Sequence, residues 1–215
     1  MDNQLVTNID YWYKTDKMPA SQRKVLASAI KLFSTQGYDK TSTSSISQDA
    51  HVSQAIIFKY FHSKEELLKS ILKPIINNVV PVYAEQFLDH LKSIKFNQEE
   101  AEDGIYYLFR ERFNFMYQNK EVIMILISQA LINDDIKNDV IKALNKKQDK
   151  LMRLMWLKFK DLTGSKNKEE FKNFVELFVT QVMAYFLQVV KIAPNEKYDF
   201  EKDLRRFARN VYLTI

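Results

Sequence analysis

Cysteine is absent from the 215-residue chain, and glycine and proline are scarce at three and four residues. Without thiols there can be no disulfide, no thiolate metal site and no cysteine nucleophile. So few helix-breaking residues favour a chain that is almost entirely helical. Histidine is nearly as rare: His51, His62 and His90 do not form the close pairs that hold zinc on a helix, so no metal is expected. No glycine-rich phosphate loop occurs either, no cofactor is implied, and the chemistry for an enzyme is missing. Long apolar runs are also lacking. The longest runs, Val122 to Ile127 among them, fall far short of the roughly 18 residues a bilayer span needs, and the N-terminus has no charged-then-apolar leader pattern. A cytoplasmic protein with no membrane partner is the expectation.

What is present is charge in one place and aromatic residues in another. From Tyr11 to Lys73 ten Lys/Arg stand against five Asp/Glu, and the net charge of the whole chain is +5, so the remainder is about neutral. A basic N-terminal third on a neutral body suits a DNA-binding head joined to a part with a different task.

Within the basic third, Thr43 to Glu66 carries two short apolar-periodic segments. Thr43 is placed to cap a helix holding Ile46 and Ala50, and Ser53 to cap a second, in which Ile57 and Phe61 lie four apart on one face. Ala50-His51-Val52 separates them, which makes a helix-turn-helix. Ser63-x-x-Glu66 has the spacing of a capping box and starts a third helix. Ahead of the motif, Leu26, Ala29, Ile30 and Phe33 form the stripe of a bracing helix, which Pro19 and Ser21 open and Gly37 closes, with Tyr38 able to pack back.

The run Thr43-x-x-Ile46, Ala50-x-Val52-Ser53, Ile57-Phe58-x-Tyr60-Phe61-x-Ser63-Lys64-Glu65-x-Leu67 resembles the DNA-binding domain of the TetR family of bacterial transcription regulators. At motif level the resemblance covers Ser21 to Leu72. Three positions depart from the family pattern: His51 and Ala55 stand where it has Gly, and Phe58 where it has Tyr, which keeps the ring and loses a hydroxyl. His is among the non-Gly residues that best tolerate a left-handed turn.

With Ile57 and Phe61 facing the brace, Gln54, Ala55, Ile56, Lys59 and Tyr60 lie on the outward side. In a major groove Gln54 can pair with adenine, Ala55 and Ile56 can meet a thymine methyl, and Lys59 can reach guanine or a phosphate. Thr43, Ser53, Tyr60 and Lys64 complete the expected DNA-binding set, with Thr43, Tyr60 and Lys64 as phosphate contacts. A basic aromatic segment, Tyr11-Trp12-Tyr13-Lys14 with Lys17, could touch DNA beside the main contact or simply pack on the head.

The resemblance implies an all-α chain with an N-terminal extension (1–20), a helix-turn-helix head (21–72) and a larger helical ligand-binding and dimerisation body (73–215). Pro74 is expected to kink or break the linking helix, and Pro81 to start or bend the next segment. The body holds too many Tyr, Phe, Met and Trp for one buried face per helix, so some are expected to line an effector pocket. Tyr107, Phe113, Met116, Met124, Trp156 and Phe178 are the candidates, with a lipophilic small molecule as partner. Arg110, Glu111 and Arg112 could orient a charged ligand or lie solvated on an exposed stripe.

The two C-terminal helices resemble the family's dimer interface. Phe178, Val182, Tyr185, Val189, Leu204, Phe207 and Val211 are the expected contacts, and Val175, Val179, Met183, Phe186 and Val190 form a second stripe. The implied function is a dimeric, ligand-responsive regulator, most simply a repressor, released from a near-palindromic double-stranded operator by its effector. The alternative is a helical protein-interaction module whose head no longer reads DNA.

Overall fold

The computed structural model describes residues 18–79, 87–89, 91–92 and 101–214, and among them there are helices and no strands. The aromatic N-terminal segment and Pro81 lie outside the described residues. The α-helices used below follow in order: α1 (Ala20–Gln36), α2 (Thr43–Asp49), α3 (Gln54–Phe61), α4 (Lys64–Pro74), α5 (Ala101–Gln118), α6 (Lys120–Ala130), α7 (Asp134–Thr163), α8 (Lys168–Leu187) and α9 (Phe200–Thr214). Two five-residue π-helical turns, Ile75–Val79 and Gln188–Ile192, continue α4 and α8. Pro74 therefore marks a change of helical winding, with the chain staying helical beyond it.

The chain divides into two compact units, Met1–Tyr83 with Asn119–Lys146, and Ala84–Gln118 with Lys147–Ile215. This grouping departs from a cut at residue 72, because α6 and the first half of α7 join the helix-turn-helix helices. The reason lies in α6, whose Val122, Ile125 and Leu126 are buried and which packs on α1 and α4.

In the first unit α1 is the hub, touching α2, α3, α4 and α6. Val25, Leu26, Ala29, Leu32 and Phe33 form its buried face, while Ile30 is only half-buried. Gly37 ends the helix at φ +90°, its N–H donating to Phe33 O at 3.1 Å, and the Tyr38 ring meets Phe33 edge-on at 5.2 Å. Ile46, Ile57, Phe61, Leu67 and Ile71 fill the space beneath α1. Each such side chain contributes about 1.5–3 kcal/mol by leaving water.

The second unit is built on α5, which packs against α8 and α9. Its core is aromatic. Phe109 lies 4.6 Å from Phe178 between ring centres, and Phe113 lies 5.0 Å from Tyr185 and 4.9 Å from Phe200. Leu204, Ala208 and Val211 close it from α9. Lys168–Ile192 is long and apolar enough, by length and composition, to cross a membrane, a test that core helices of soluble proteins also meet.

Candidate nucleic-acid interface

The helix-turn-helix is defined by its ends. Ser42, one residue before the expected cap, opens α2: its Oγ accepts from the Ser45 N–H at 2.9 Å, and Ser45 Oγ accepts from the Ser42 N–H at 3.1 Å. Two donors that a helix start leaves unpaired are thereby satisfied reciprocally. Thr43 is thus the first helical residue, which frees its hydroxyl for another partner. Ser53 holds the extended backbone of a cap (φ −71°, ψ 150°), but its side chain makes no capping bond. Ser63 caps α4 with one half of the expected box, its Oγ accepting from the Glu66 N–H at 3.0 Å.

The turn between α2 and α3 places His51 at φ +53°, and His62 ends α3 at φ +50°. Both exposed histidines adopt a backbone that glycine holds more cheaply. Val52 N–H donates to Ser47 O at 3.1 Å and Ala50 N–H to Ile46 O at 2.9 Å, closing the end of α2 against the turn.

These ends orient α3. Ile57 and Phe61 are fully buried toward α1, while Ser53, Gln54, Ala55 and Lys59 are exposed. Ile56, expected outside, is half-buried, as are Thr43 and Tyr60. Phe58, 44% exposed, joins the outward face, so ring contact from this position is open even without a hydroxyl. The Gln54 Nε2 donates to Thr43 Oγ1 at 2.9 Å, linking the first turns of α2 and α3. The Tyr60 hydroxyl accepts from Ser21 Oγ at 3.4 Å, and Lys59 Nζ lies 5.5 Å from the Tyr60 ring centre.

Lys64 differs most from its expected phosphate role. Its half-buried ammonium donates to Tyr38 O at 3.1 Å and Thr41 O at 3.2 Å, and sits 4.2 Å from the centre of the Tyr38 ring. Its charge is spent inward on the loop before α2. Nothing in the local spacing around Ser63 signals this, because the partners lie 23 and 26 residues away. Lys31 of α1 is similarly engaged, pairing with Asp49 of α2 at 2.6 Å, and that hydrogen bond holds the Asp49 carboxyl below its usual range. Arg23 and Lys24 remain on the exposed side of α1.

The second unit takes up most of the residues expected in the effector pocket and the dimer interface. Phe113 and Phe178 are buried in its core, with Met116 and Trp156 packed against it. Tyr107 is half-buried on α5 with the Arg110 guanidinium 5.3 Å from its ring centre, and Met124 belongs to the first unit on α6. Arg112 is not solvated: it stands 3.9 Å over the Phe87 ring and 3.3 Å from the Glu111 carboxylate. The side chains expected at a dimer interface face the core of their own chain. Phe178, Val182, Tyr185, Val189, Leu204 and Val211 are buried within the single chain, and Phe207 is half-buried against the Phe109 and Tyr185 rings. The stripe points at α5, which leaves Val179 on the other side of α8 53% exposed.

Comparison with known proteins agrees with this geometry. Residues 25–71 match the family model described as bacterial regulatory proteins, tetR family. The chain is 26% identical over 200 residues to the biofilm operon icaADBC HTH-type negative transcriptional regulator IcaR of Staphylococcus epidermidis, covering 88% of this chain and 97% of that protein. The protein of the same name from Staphylococcus aureus strain Newman is 24% identical over 191 residues, covering 84% and 93%. Among solved structures, the TetR family transcriptional regulator PfmR of Thermus thermophilus superposes with a TM-score of 0.60 at 14% identity, covering 88% of this chain and 97% of that one. The transcriptional regulator FadR of Bacillus subtilis, in complex with stearoyl-CoA, superposes with a TM-score of 0.57 at 14% identity, covering 89% and 98%.

Proposed function

We infer that this chain, a member of the TetR family of bacterial regulatory proteins, represses transcription as a homodimer on a near-palindromic operator and leaves it when a lipophilic effector binds. The observation that carries the reading is the division of α3: Ile57 and Phe61 are buried while Gln54, Ala55, Phe58 and Lys59 face outward. A short helix held at both ends, with one face wholly in the core, presents a fixed row of side chains to a major groove. Repression takes its sign from the IcaR relatives, which are named negative regulators and are matched over nearly their whole length.

Dimerisation is required by the geometry of operators, since two such helices must meet half-sites about 34–36 Å apart. The face of α8 that carries Val179 supports a place for the second copy, because Val179 is 53% exposed and Val175, Met183 and Val190 on the same stripe are only half-buried. Effector release follows if a ligand favours a body shape whose heads miss the half-site spacing. The aromatic second unit supports a greasy ligand, and the stearoyl-CoA held by the structurally similar FadR makes long acyl chains the first class to try.

The test is selection of duplexes from a random-sequence pool by the purified protein, followed by anisotropy titration with and without a long-chain acyl-CoA or fatty acid. A selected palindrome whose binding weakens with salt supports the reading. Selection of no sequence would return the chain to the interaction-module alternative.

A further inference from the structure

We propose that Thr43 is a positioning residue for base recognition, acting through Gln54. The proposal rests on the reading of α3 as the helix that enters the major groove.

The two residues are eleven apart in sequence and sit in the first turns of α2 and α3. Because Ser42 caps α2, the Thr43 hydroxyl has no capping duty and instead accepts from Gln54 Nε2 at 2.9 Å. A primary amide has one acceptor oxygen and two N–H donors. With one N–H held by Thr43, the Gln54 Oε1 and its other N–H remain for a single partner. That pair is what the N6 and N7 edge of adenine requires. Glutamine is among the side chains that lose most rotamer freedom when fixed. A bond that holds its amide before DNA arrives therefore lowers the ordering needed at binding.

Thr43 keeps its own hydroxyl hydrogen, which can go to a phosphate oxygen. A hydroxyl that donates becomes a better acceptor, so phosphate contact at Thr43 tightens its hold on Gln54. Register on the backbone and reading of the base are coupled through one oxygen atom. The sequence alone separates these roles, assigning a phosphate to Thr43 and a base to Gln54.

The experiment takes a duplex selected by the wild-type protein from a random-sequence pool, together with every single base-pair substitution of one half-site. Dissociation constants are measured by anisotropy at two salt concentrations for wild type, Thr43→Val, Thr43→Ser, Gln54→Ala and the Thr43→Val/Gln54→Ala double variant. Thermal melts confirm that each is folded. Thr43→Val is expected to flatten discrimination at one base position by roughly tenfold, and Thr43→Ser to keep it. Gln54→Ala is expected to flatten the same position, with no further change in the double variant. Equal weakening of every duplex by Thr43→Val, with discrimination intact, would show a phosphate contact alone and overturn the proposal. A wild-type protein that selects no sequence would instead remove the DNA-reading function and this inference with it, a result distinct from uniform weakening.

Discussion

The ammonium of Lys64 lies 4.2 Å from the centre of the Tyr38 ring and donates to the Tyr38 carbonyl oxygen at 3.1 Å. With the second bond, to Thr41 O, one side chain from the first turn of α4 ties down the whole loop between α1 and α2. Lys64→Met keeps the aliphatic stem and removes the charge. It is expected to destabilise the protein by about 1–3 kcal/mol, since two carbonyl bonds and a cation–ring contact go together. Urea denaturation measures the loss, and an unchanged midpoint would mean that the ammonium is solvated and available to phosphate after all.

His51 occupies the turn of the helix-turn-helix at φ +53° with an exposed side chain. A residue with a Cβ is strained there by roughly 1 kcal/mol relative to glycine, less the entropy that glycine costs the unfolded chain. His51→Gly should therefore raise the urea midpoint by the equivalent of up to about 0.5 kcal/mol and leave DNA affinity alone. Destabilisation would show that the imidazole makes contacts that outweigh its backbone strain.

The Tyr185 hydroxyl donates to Asp203 Oδ2 at 2.7 Å from within the aromatic core, and Tyr185 is only 3% exposed. Burial first, and then the Asp203 hydrogen bond and charge, push the Tyr185 pKa well above its usual value. A group whose folded pKa is raised stabilises the fold fully below its unfolded pKa, and that stability drains away as pH rises through the folded value. Folding stability should thus fall above about pH 10. Tyr185→Phe should be less stable at pH 7 by about 1–2 kcal/mol, and its alkaline decline should be shallower. Parallel pH profiles for the two proteins would rule out Tyr185 as a source of that slope.

Much of the head was legible in the sequence because its signals are local. The four-residue spacing of Ile57 and Phe61 placed both in the core, and Ser63 caps as its spacing to Glu66 requires. The shift of the first cap from Thr43 to Ser42 arises because Thr41, Ser42 and Thr43 all carry hydroxyls, and only the start of helical backbone decides between them. The inward turn of Lys64 and the packing of α6 on α1 depend on residues far away in sequence, so no window around either could show them. The C-terminal helices pose a different problem. On α8 two apolar stripes compete, and the rings of Phe109 and Phe113 on α5 draw the one with Phe178 and Tyr185 into the core, while Phe186 of the other stripe is fully buried as well.

That selection separates two valines three residues apart on α8. Val182 is buried against the core of its own chain, so Val182→Ala opens a cavity and should cost about 2 kcal/mol of folding stability while leaving association unchanged. Val179 is 53% exposed in the isolated chain and lies on the stripe with the half-buried Val175, Met183 and Val190. If that face receives the second copy, Val179→Asp buries a carboxylate in an apolar seam on association, whereas the folded monomer leaves it in water. The dimer dissociation constant is then expected to rise roughly 100-fold with little change in the melting of the monomer, since burying an unpaired charge costs several kcal/mol. Sedimentation analysis across protein concentration reads the first effect and calorimetry the second. Operator binding should fall with the dimer, because a single head addresses only one half-site. A Val179→Asp protein that stays dimeric would move the interface off this stripe of α8.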